Sequence, residues 1–229
     1  MKLGSRMAAI AAMIPAGSRV ADIGTDHAYL PIHLVTSGVI TSAVAGDVHH
    51  GPYQSALAAI GRMGLDEQIS VRLGDGLAVL SPGEADTAII AGMGGPTMIG
   101  ILSDRPDVTR SLSRLVLQPM LAAGAVRRWL VANGWHLVDE NLVEEDGRIY
   151  EIIAAEQGLS GEVEPVLYDI GPLLWACRHP LLKDHLAGMI GQLKRVVAEM
   201  ADSACALNSP RYREYCEQIL LLEEKWACL

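Results

Sequence analysis

A single glycine interrupts an apolar run near the start of the chain, at residues 20–31, which read VADIGTDHAYLP. Asp22 precedes Gly24, and Asp26 and His27 follow it within three residues. Because glycine has no Cβ, the backbone can turn sharply here and a ligand can lie close against it. Carboxylates on both sides of such a turn attract positive charge. The stretch therefore predicts a site for a cationic ligand.

A glycine after a first strand is also typical of dinucleotide binding, but that fingerprint needs three glycines so that the backbone can approach a diphosphate. Only Gly24 fits the pattern, and Asp26 and Tyr29 would place negative charge and bulk where the diphosphate lies. S-adenosylmethionine has no phosphate and carries a sulfonium and an ammonium group. The residues therefore favour S-adenosylmethionine as the cofactor, with Asp22 and Asp26 close to its positive charges.

Two further acidic residues follow the next predicted strands. Asp47 ends the segment SAVAGD and is placed to accept both ribose hydroxyls of an adenosine cofactor, and Asp75 in GDG is placed to accept from the adenine amino group. Each could instead be only a helix cap or a turn residue. Their order at one sheet edge favours the cofactor. The predicted cofactor-binding residues are Asp22, Gly24, His27, Leu30, Asp47, Val48, Asp75, Gly76 and Ala91.

The elements that must position these residues alternate along the first two thirds of the chain. Short apolar runs ended by Gly, Asp or Pro predict strands at 19–23, 43–47, 69–73, 87–91 and 115–117. Helical patterns lie between them at 27–37, 53–63, 97–102 and 122–132, after an amphipathic first helix. This alternation predicts an α/β fold with a mostly parallel sheet covered on both faces. Two later runs, 135–142 and 148–155, predict an antiparallel hairpin that closes one edge.

The character of the chain changes from residue 158 onward, after the connector GLSGEVEP. Two apolar stripes follow with alternating steps of three and four residues, and NSP at 208–210 separates them. Such stripes are typical of a coiled coil, with Ser209 as a helix cap and Pro210 at the first helical position. We therefore expect a first domain over 1–157 and an antiparallel helical hairpin over 158–229. The stripes are Leu182, Leu186, Met189, Leu193, Val196 and Met200, then Tyr212, Tyr215, Ile219, Leu222, Trp226 and Leu229.

Composition argues against several other classes of protein. No apolar run reaches the ~20 residues of a spanning helix, so we expect no membrane segment. The four cysteines show no C-x-x-C spacing, which argues against a zinc site and a disulfide framework and favours a cytoplasmic location. The net charge of −9 argues against a phosphate-binding surface along the whole chain. We expect a monomer that needs no metal.

Five segments together resemble one family of bacterial enzymes. They are DIGTDHAYLP, GDGL at 74–77, AGMGG at 91–95, LQP at 117–119 and EEDGRIYEI at 144–152. In combination they are similar to the tRNA (adenine-N1)-methyltransferases that act on adenine 22, the TrmK family, over residues 1–157. The resemblance implies a class I Rossmann-like methyltransferase domain with a seven-stranded sheet, S-adenosylmethionine as donor, tRNA as substrate and a C-terminal helical domain. Asp47 stands where the family can carry glutamate.

The loop after the fourth predicted strand reads Gly92-Met93-Gly94-Gly95. Many amino-group and ring-nitrogen methyltransferases carry an Asn/Asp-Pro-Pro-aromatic motif here. We expect a backbone carbonyl of 92–94 to accept from adenine N6, and the glycines to leave room for a flipped base. The glycines could alternatively serve turn geometry only, before Pro96. The predicted catalytic residues are Asp26, Gly92, Met93 and Gly94, with Asp26 balancing the proton of the target base.

Contacts to the nucleic acid are harder to predict, because basic and aromatic residues also occur on ordinary solvated faces. The predicted substrate-binding residues are Lys2, Arg6, Tyr29, Gly95, Arg105, Lys194 and Arg195. Two other functions fit the same fold: a methyltransferase that acts on a small molecule or a protein, and a module that binds the cofactor without transfer.

Overall fold

In the computed structural model, short runs of small and β-branched residues form one sheet. Its strands are β1 (Val20–Ile23), β2 (Ala43–Asp47), β3 (Ile69–Leu73), β4 (Thr87–Gly94), β5 (Arg114–Leu121), β6 (Trp135–Glu145) and β7 (Arg148–Gln157). They lie in the order β3-β2-β1-β4-β5-β7-β6. Strands β1 to β5 are parallel, whereas β7 is antiparallel to both β5 and β6. The predicted mostly parallel, seven-stranded Rossmann-like sheet is confirmed.

The structure describes residues 3–229, so the predicted substrate residue Lys2 lies outside the described part. The chain divides into two units, Met1–Gly161 and Glu162–Leu229. This division falls four residues after the boundary that the connector predicted. No helix within residues 3–229 is both long and apolar enough to cross a membrane.

Helices connect the strands of the first unit. They are α1 (Ser5–Ala12), α2 (Tyr29–Thr36), α3 (His50–Met63), α4 (Gly95–Asp104), α5 (Pro106–Thr109) and α6 (Ala123–Ala132), with a 3₁₀ turn at Gly76–Val79. Helix α2 begins two residues later than predicted because Ala28 has a left-handed backbone, with φ of 52°. Helix α3 begins three residues earlier, since Pro52 is tolerated in a first turn.

Both faces of the sheet are buried. Successive residues of a strand point to opposite faces, and in β4 Ala88 and Ile90 join one apolar cluster whereas Ile89 joins the other. Residues of α4 and α6 pack in the first cluster, and residues of α1, α2 and α3 pack in the second. The central strands are therefore largely apolar, apart from polar residues such as Asp22 in β1 and Thr87 in β4, which is why they could be recognised as short runs.

A buried arginine connects α6 to the β6–β7 hairpin. Arg127 on α6 has no exposed surface, and its Nε donates to Glu140 Oε1 on β6 at 2.5 Å. Its Nη2 donates to Glu151 Oε2 on β7 at 2.7 Å. A buried charge needs such partners, because an unpaired ion in the interior is strongly destabilising. Sequence patterns did not indicate this group.

The second unit is helical, with α7 (Leu167–Ile170), α8 (Pro172–Ala176), α9 (Leu182–Ala201), α10 (Ala204–Leu207) and α11 (Pro210–Ala227). The predicted cap is confirmed, since Ser209 Oγ accepts from the backbone N–H of Tyr212 at 3.2 Å and Pro210 begins α11. The short helix α10 was not predicted. Lys194 Nζ of α9 lies 2.6 Å from Glu223 Oε1 of α11, which joins the two long helices.

The apolar seam between α9 and α11 differs in detail from the predicted stripes. Leu182, Leu186 and Ile190 are the buried residues of α9, and Ile190 was not in the predicted stripe. Trp226 was predicted to lie in the seam but is 39% exposed, with Lys183 Nζ 4.9 Å from the centroid of its ring. A straight helix drifts about 20° per heptad against a 3.5-residue repeat, so a stripe assigned over two heptads leaves the contact at its end.

We expect Arg127→Met to lower the free energy of unfolding by about 3–5 kcal/mol, because it leaves two carboxylates in a buried site without their cation. Arg128→Met is the matched control, since Arg128 follows on the same helix with an exposed side chain and such substitutions usually change stability by less than about 0.5 kcal/mol. Urea unfolding followed by circular dichroism measures both. Equal midpoints for the two variants would show that the buried group contributes nothing.

Candidate active site

The turn after β1 is tied to the end of β2. Gly24 has φ of +82°, a conformation that favours glycine, and its N–H donates to the carbonyl of Gly46 at 2.8 Å. The N–H of Thr25 donates to the same carbonyl at 3.0 Å. A Cβ on Gly24 would collide with the methyl group of Met93. The turn therefore favours glycine, and the end of the Met93 side chain would have to move to admit a larger residue.

Asp22 is a buried carboxylate at this turn. Burial raises the pKa of Asp22 to about 6, a hydrogen bond with Thr25 lowers it in part, and the negative charge of Asp47 raises it further. Two predicted cofactor residues from different strands, Asp22 and Asp47, therefore lie close enough for electrostatic repulsion. A cation bound between them would relieve both the desolvation and the repulsion.

Asp47 has a structural role as well as a predicted binding role. Its Oδ1 accepts from the backbone N–H of His49 at 2.7 Å, which is the turn-forming contact expected of an acidic residue after a strand. The carbonyl of Asp47 accepts from the N–H of Gly74 at 3.0 Å, so the ends of β2 and β3 are joined. The exposed Asp75 lies directly after this contact. The predicted acceptors for the ribose and the adenine therefore lie at one sheet edge.

The residues that follow Gly24 are of both kinds: Thr25, Ala28 and Leu30 are buried, whereas Asp26 and Tyr29 are exposed. The side chain of Asp26 is 74% exposed and lies 3.5 Å from His27 Nε2. The ring of His27 stacks on Tyr29, with 5.0 Å between centroids and 17° between planes. Leu30 packs in the apolar core, and Val48 is exposed beside the end of β2. Asp26 thus remains hydrated, which suits a residue that balances charge rather than a strong base.

The structure corrects the predicted loop, because Gly92, Met93 and Gly94 form the end of β4 and Gly95 begins α4. We call this segment the transfer loop. Its three glycines have different reasons to be glycine. Gly92 has φ of +75°, and a Cβ on Gly95 would lie 2.7 Å from the carbonyl oxygen of Ala122, so the fold requires both. Gly94 has φ of −68°, and its Cβ would meet only Leu121, at 3.7 Å. Turn geometry and packing explain Gly92 and Gly95. Gly94 has no such explanation, and its missing side chain leaves space for a ligand.

One predicted substrate residue of the first unit, Arg105, lies away from this edge. Arg105 follows the last turn of α4, about 15 Å along the helix from Gly95, and its Nη2 pairs with Asp107 Oδ2 at 2.9 Å. Lys194 and Arg195 lie on α9 in the second unit. Arg6, in contrast, lies beside the transfer loop, with Nη1 3.7 Å from the position that a Cβ of Gly92 would take.

Sequence reasoning missed a buried polar residue next to Arg6. Gln118 on β5 is completely buried, and its Oε1 accepts from Arg6 Nη1 at 2.7 Å. Its only signal was its place in the LQP segment, which contributed to the family resemblance without a stated role. Among residues 3–229 there is no group of three His, Cys, Asp or Glu residues arranged to hold a metal ion.

The residue set fits S-adenosylmethionine. Asp22 offers a buried carboxylate whose charge needs a cation, the glycine turn allows close approach, and Asp47 and Asp75 are acceptors in the order that an adenosine group requires. The flexible thioether of Met93 covers Gly24 and can adapt to a ligand there.

Comparison with known proteins also indicates a methyltransferase. Residues 3–153 match the family described as "Methyltransferase domain". The tRNA (adenine(22)-N(1))-methyltransferase of Bacillus subtilis is 44% identical over 158 residues, which are 69% of this chain and 66% of that protein.

Solved structures extend the likeness to both units. The crystal structure of the B. subtilis m1A22 tRNA methyltransferase TrmK has a TM-score of 0.89 and 34% identity, over 98% of this chain and 99% of that one. TrmK of M. capricolum, solved with S-adenosyl-homocysteine, has a TM-score of 0.83 and 25% identity, over 99% of each chain. This chain therefore belongs to the TrmK family, the tRNA (adenine(22)-N1)-methyltransferases.

Proposed function

We propose that this chain is an enzyme that transfers a methyl group from S-adenosylmethionine to N1 of adenine 22 in tRNA. The observation that carries the proposal is the meeting of two carboxylates, Asp22 and Asp47, at a glycine turn that faces the Gly92–Gly94 loop. The identity of the B. subtilis relative supports the choice of substrate. The location in the cytoplasm and the monomeric state belong to this proposal as predictions.

The proposed cofactor residues act in different ways: some compensate charge, some allow close approach, and some accept hydrogen bonds. Asp22 compensates the positive charge of the methionyl part, and the turn at Gly24 lets that part lie against the backbone. Asp47 keeps one oxygen on His49 and presents its remaining acceptor capacity to the ribose. Asp75 accepts from the adenine amino group. When bound, S-adenosylmethionine supplies a methyl group on a positively charged sulfur, which the lone pair of a target nitrogen can displace.

The transfer loop orients the target base rather than activating it. N1 of adenine already carries a lone pair, so alignment contributes more than proton abstraction. Carbonyl groups of residues 92–94 accept from N6 and hold the ring, and the space at Gly94 admits a flipped base. The N1-methylated base is a cation, and the exposed carboxylate of Asp26 balances that charge.

The second unit supplies the cations that hold the folded RNA. Lys194 and Arg195 lie on α9, and Arg211 and Arg213 lie near the start of α11. Arg211 already donates to Tyr215 Oη at 2.8 Å, and Lys194 is paired with Glu223. Arg195 and Arg213 are exposed, which supports phosphate contact by one basic face of the hairpin.

The decisive experiment incubates the protein with S-adenosylmethionine and an unmodified tRNA transcript, then maps the methylated base by primer extension and mass spectrometry. We expect N1-methyladenine at position 22 and no product from a transcript with guanine there. Methylation of free adenosine or of a protein, or cofactor binding without transfer to tRNA, would instead support one of the other two functions.

Asp47→Asn should raise the Kd for S-adenosylmethionine by about 10- to 150-fold, because hydrogen bonds to a charged group contribute about 1.5–3 kcal/mol. The amide oxygen can still accept from His49, so the turn is kept while an acceptor for the ribose is lost. Asp66→Asn is the matched control, since Asp66 is an exposed acid next to the opposite end of β3. Calorimetry measures both, and an unchanged Kd in the first variant would refute the ribose assignment.

Asp22 should make cofactor affinity depend on pH. Its pKa is about 6 in the free protein, and a bound cation favours the ionised form, so affinity should fall about tenfold per pH unit below pH 6. Asp22→Asn should bind weakly at every pH. Calorimetric titration between pH 5 and pH 8 tests this, and a flat wild-type profile would contradict it.

Ionisation of Asp22 should favour cofactor binding but lower the free energy of unfolding of the free protein. The folded pKa lies above the unfolded value, so Asp22 contributes stability at low pH that is lost as the pH rises from about 4 through 6. At pH 8, Asp22→Asn should therefore unfold at a higher urea concentration, with a gain of up to about 3 kcal/mol. A variant less stable than wild type at pH 8 would refute this reading.

A further inference from the structure

Arg6 on α1 contacts three strands at the end of the sheet where transfer is expected. Its Nη1 donates to Gln118 Oε1 on β5, and its Nε lies 3.7 Å from Glu145 Oε2 on β6. Its guanidinium carbon is 5.2 Å from the ring centroid of Tyr150 on β7. We call these four residues the Arg6 cluster. Residues far apart in the chain thus meet on a single side chain.

Helix α1 is itself held in place by the Arg6 cluster. The backbone N–H of Arg6, in the first turn of α1, donates to Glu145 Oε1 at 3.2 Å. A carboxylate at this position satisfies a free helix N–H and interacts well with the helix dipole. Gly4 allows it, because a Cβ there would collide with Glu145. The guanidinium therefore sits at a fixed point rather than on a free helix.

The contact with Gln118 lies at an irregularity shared by two strands. Ala91 pairs with Gln118, but Met93 pairs with Pro119 and Gly94 pairs with Leu121. Gly92 on β4 and Met120 on β5 are thus left without a partner in the register. Gly92 has the positive φ of a bulge residue. These are two bulge-like register shifts, one on each strand and on either side of the Met93–Pro119 pair. Such a feature re-aims the backbone next to many active sites.

Arg6 and Gln118 connect the two bulges. Arg6 Nη1 occupies the space beside Gly92, where a Cβ would stand 3.7 Å away. Gln118 Nε2 donates to the carbonyl of Pro119 at 3.1 Å and lies 3.6 Å from Met120 Sδ. The hydrogen bond between the two side chains therefore links the bulge on β4 to the bulge on β5.

We propose that Arg6 and Gln118 are positioning residues that hold the bulged ends of β4 and β5, and thereby orient the backbone carbonyls of 92–94 toward the target base. The inference rests on the proposed function, because it assigns those carbonyls to the base. Neither residue touches the reacting atoms. Displacing a reacting group by about 1 Å can lower turnover by about 100-fold.

The contacts favour this role over the phosphate contact that the sequence predicted for Arg6. Its side chain is 23% exposed, and the carboxylate of Glu145 already compensates its charge. An arginine that binds a phosphate needs free donors directed to solvent. In Arg6, Nη1 is used by Gln118, Nε is buried, and the guanidinium carbon lies over the ring of Tyr150.

The test compares Arg6→Met, Gln118→Met and the double variant in steady-state tRNA methylation. Each single variant should lower kcat by about 10- to 100-fold. KM for tRNA and Kd for S-adenosylmethionine should change by less than about twofold. Because the two residues act through one hydrogen bond, the double variant should be no slower than the slower single variant. Arg6→Lys should remain slow, since an ammonium lacks the planar fork of the guanidinium.

Two control variants separate positioning from other roles. Arg195→Met removes a predicted phosphate contact, so it should reduce the slope of log affinity against log salt by about one unit. Arg6→Met should leave that slope unchanged. Arg19→Met removes an exposed arginine paired with Asp86 at 3.3 Å, at the opposite end of β1, and should keep the wild-type kcat.

Hydrogen exchange gives a readout that does not depend on activity. The amides of residues 92–94 should exchange faster in Arg6→Met and in Gln118→Met than in wild type. If the wild-type protein fails to methylate tRNA, the proposed function is wrong. The exchange result still tests whether Arg6 and Gln118 hold the ends of β4 and β5. The inference would be overturned by wild-type kcat in either variant or by unchanged amide exchange at residues 92–94. It would also be overturned by a reduced salt slope in Arg6→Met, or by losses of kcat that multiply in the double variant.

Discussion

The active site depends on the parallel pairing of β1 with both β2 and β4. Val20 to Ile23 pair in register with Ala43 to Gly46 on one side and with Thr87 to Ile90 on the other. Parallel pairing places the carboxyl ends of all three strands at one edge, where ligands of such sheets bind. Shifting one strand by a single residue would turn its buried side chains to the other face and move its end away from the site.

At that edge Asp22 places a carboxyl group in a buried position, which is unfavourable for the fold when the group is ionised. In the proposed function a bound cation compensates the charge of Asp22, and the two apolar layers around the central strands supply the stability that offsets its burial. A site of this kind is stabilised by what it binds. A residue that is proposed to bind the cofactor can thus oppose the stability of the empty fold.

The parallel strands were predictable because each contains a short apolar run, and the runs of β1, β2 and β3 end at Asp or directly before Gly. β2 and β3 match the predicted bounds, and the helix boundaries differ where a backbone takes an unusual conformation, as at Ala28. The positions of Asp47 and Asp75 at the ends of β2 and β3 were predictable, and their roles as acceptors stay predictions. The Arg6–Gln118 contact was not, because it joins residues separated by 112 positions. No local pattern records which buried amide will meet which arginine, and the same holds for Arg127.

The position of β7 between β5 and β6 has a consequence for biosynthesis. A chain emerging from the ribosome can pair β1 to β5 early, but β5 then presents an open edge with the buried run Leu115 to Leu117. Such an edge can pair with another chain until it is covered. The edge of β5 is covered only when β7, the last strand of the unit, pairs with it, and β7 also carries the Tyr150 that contacts Arg6. Nascent chains are therefore most exposed to misassembly just before that strand is made, and the transfer loop gains its full support at the same moment.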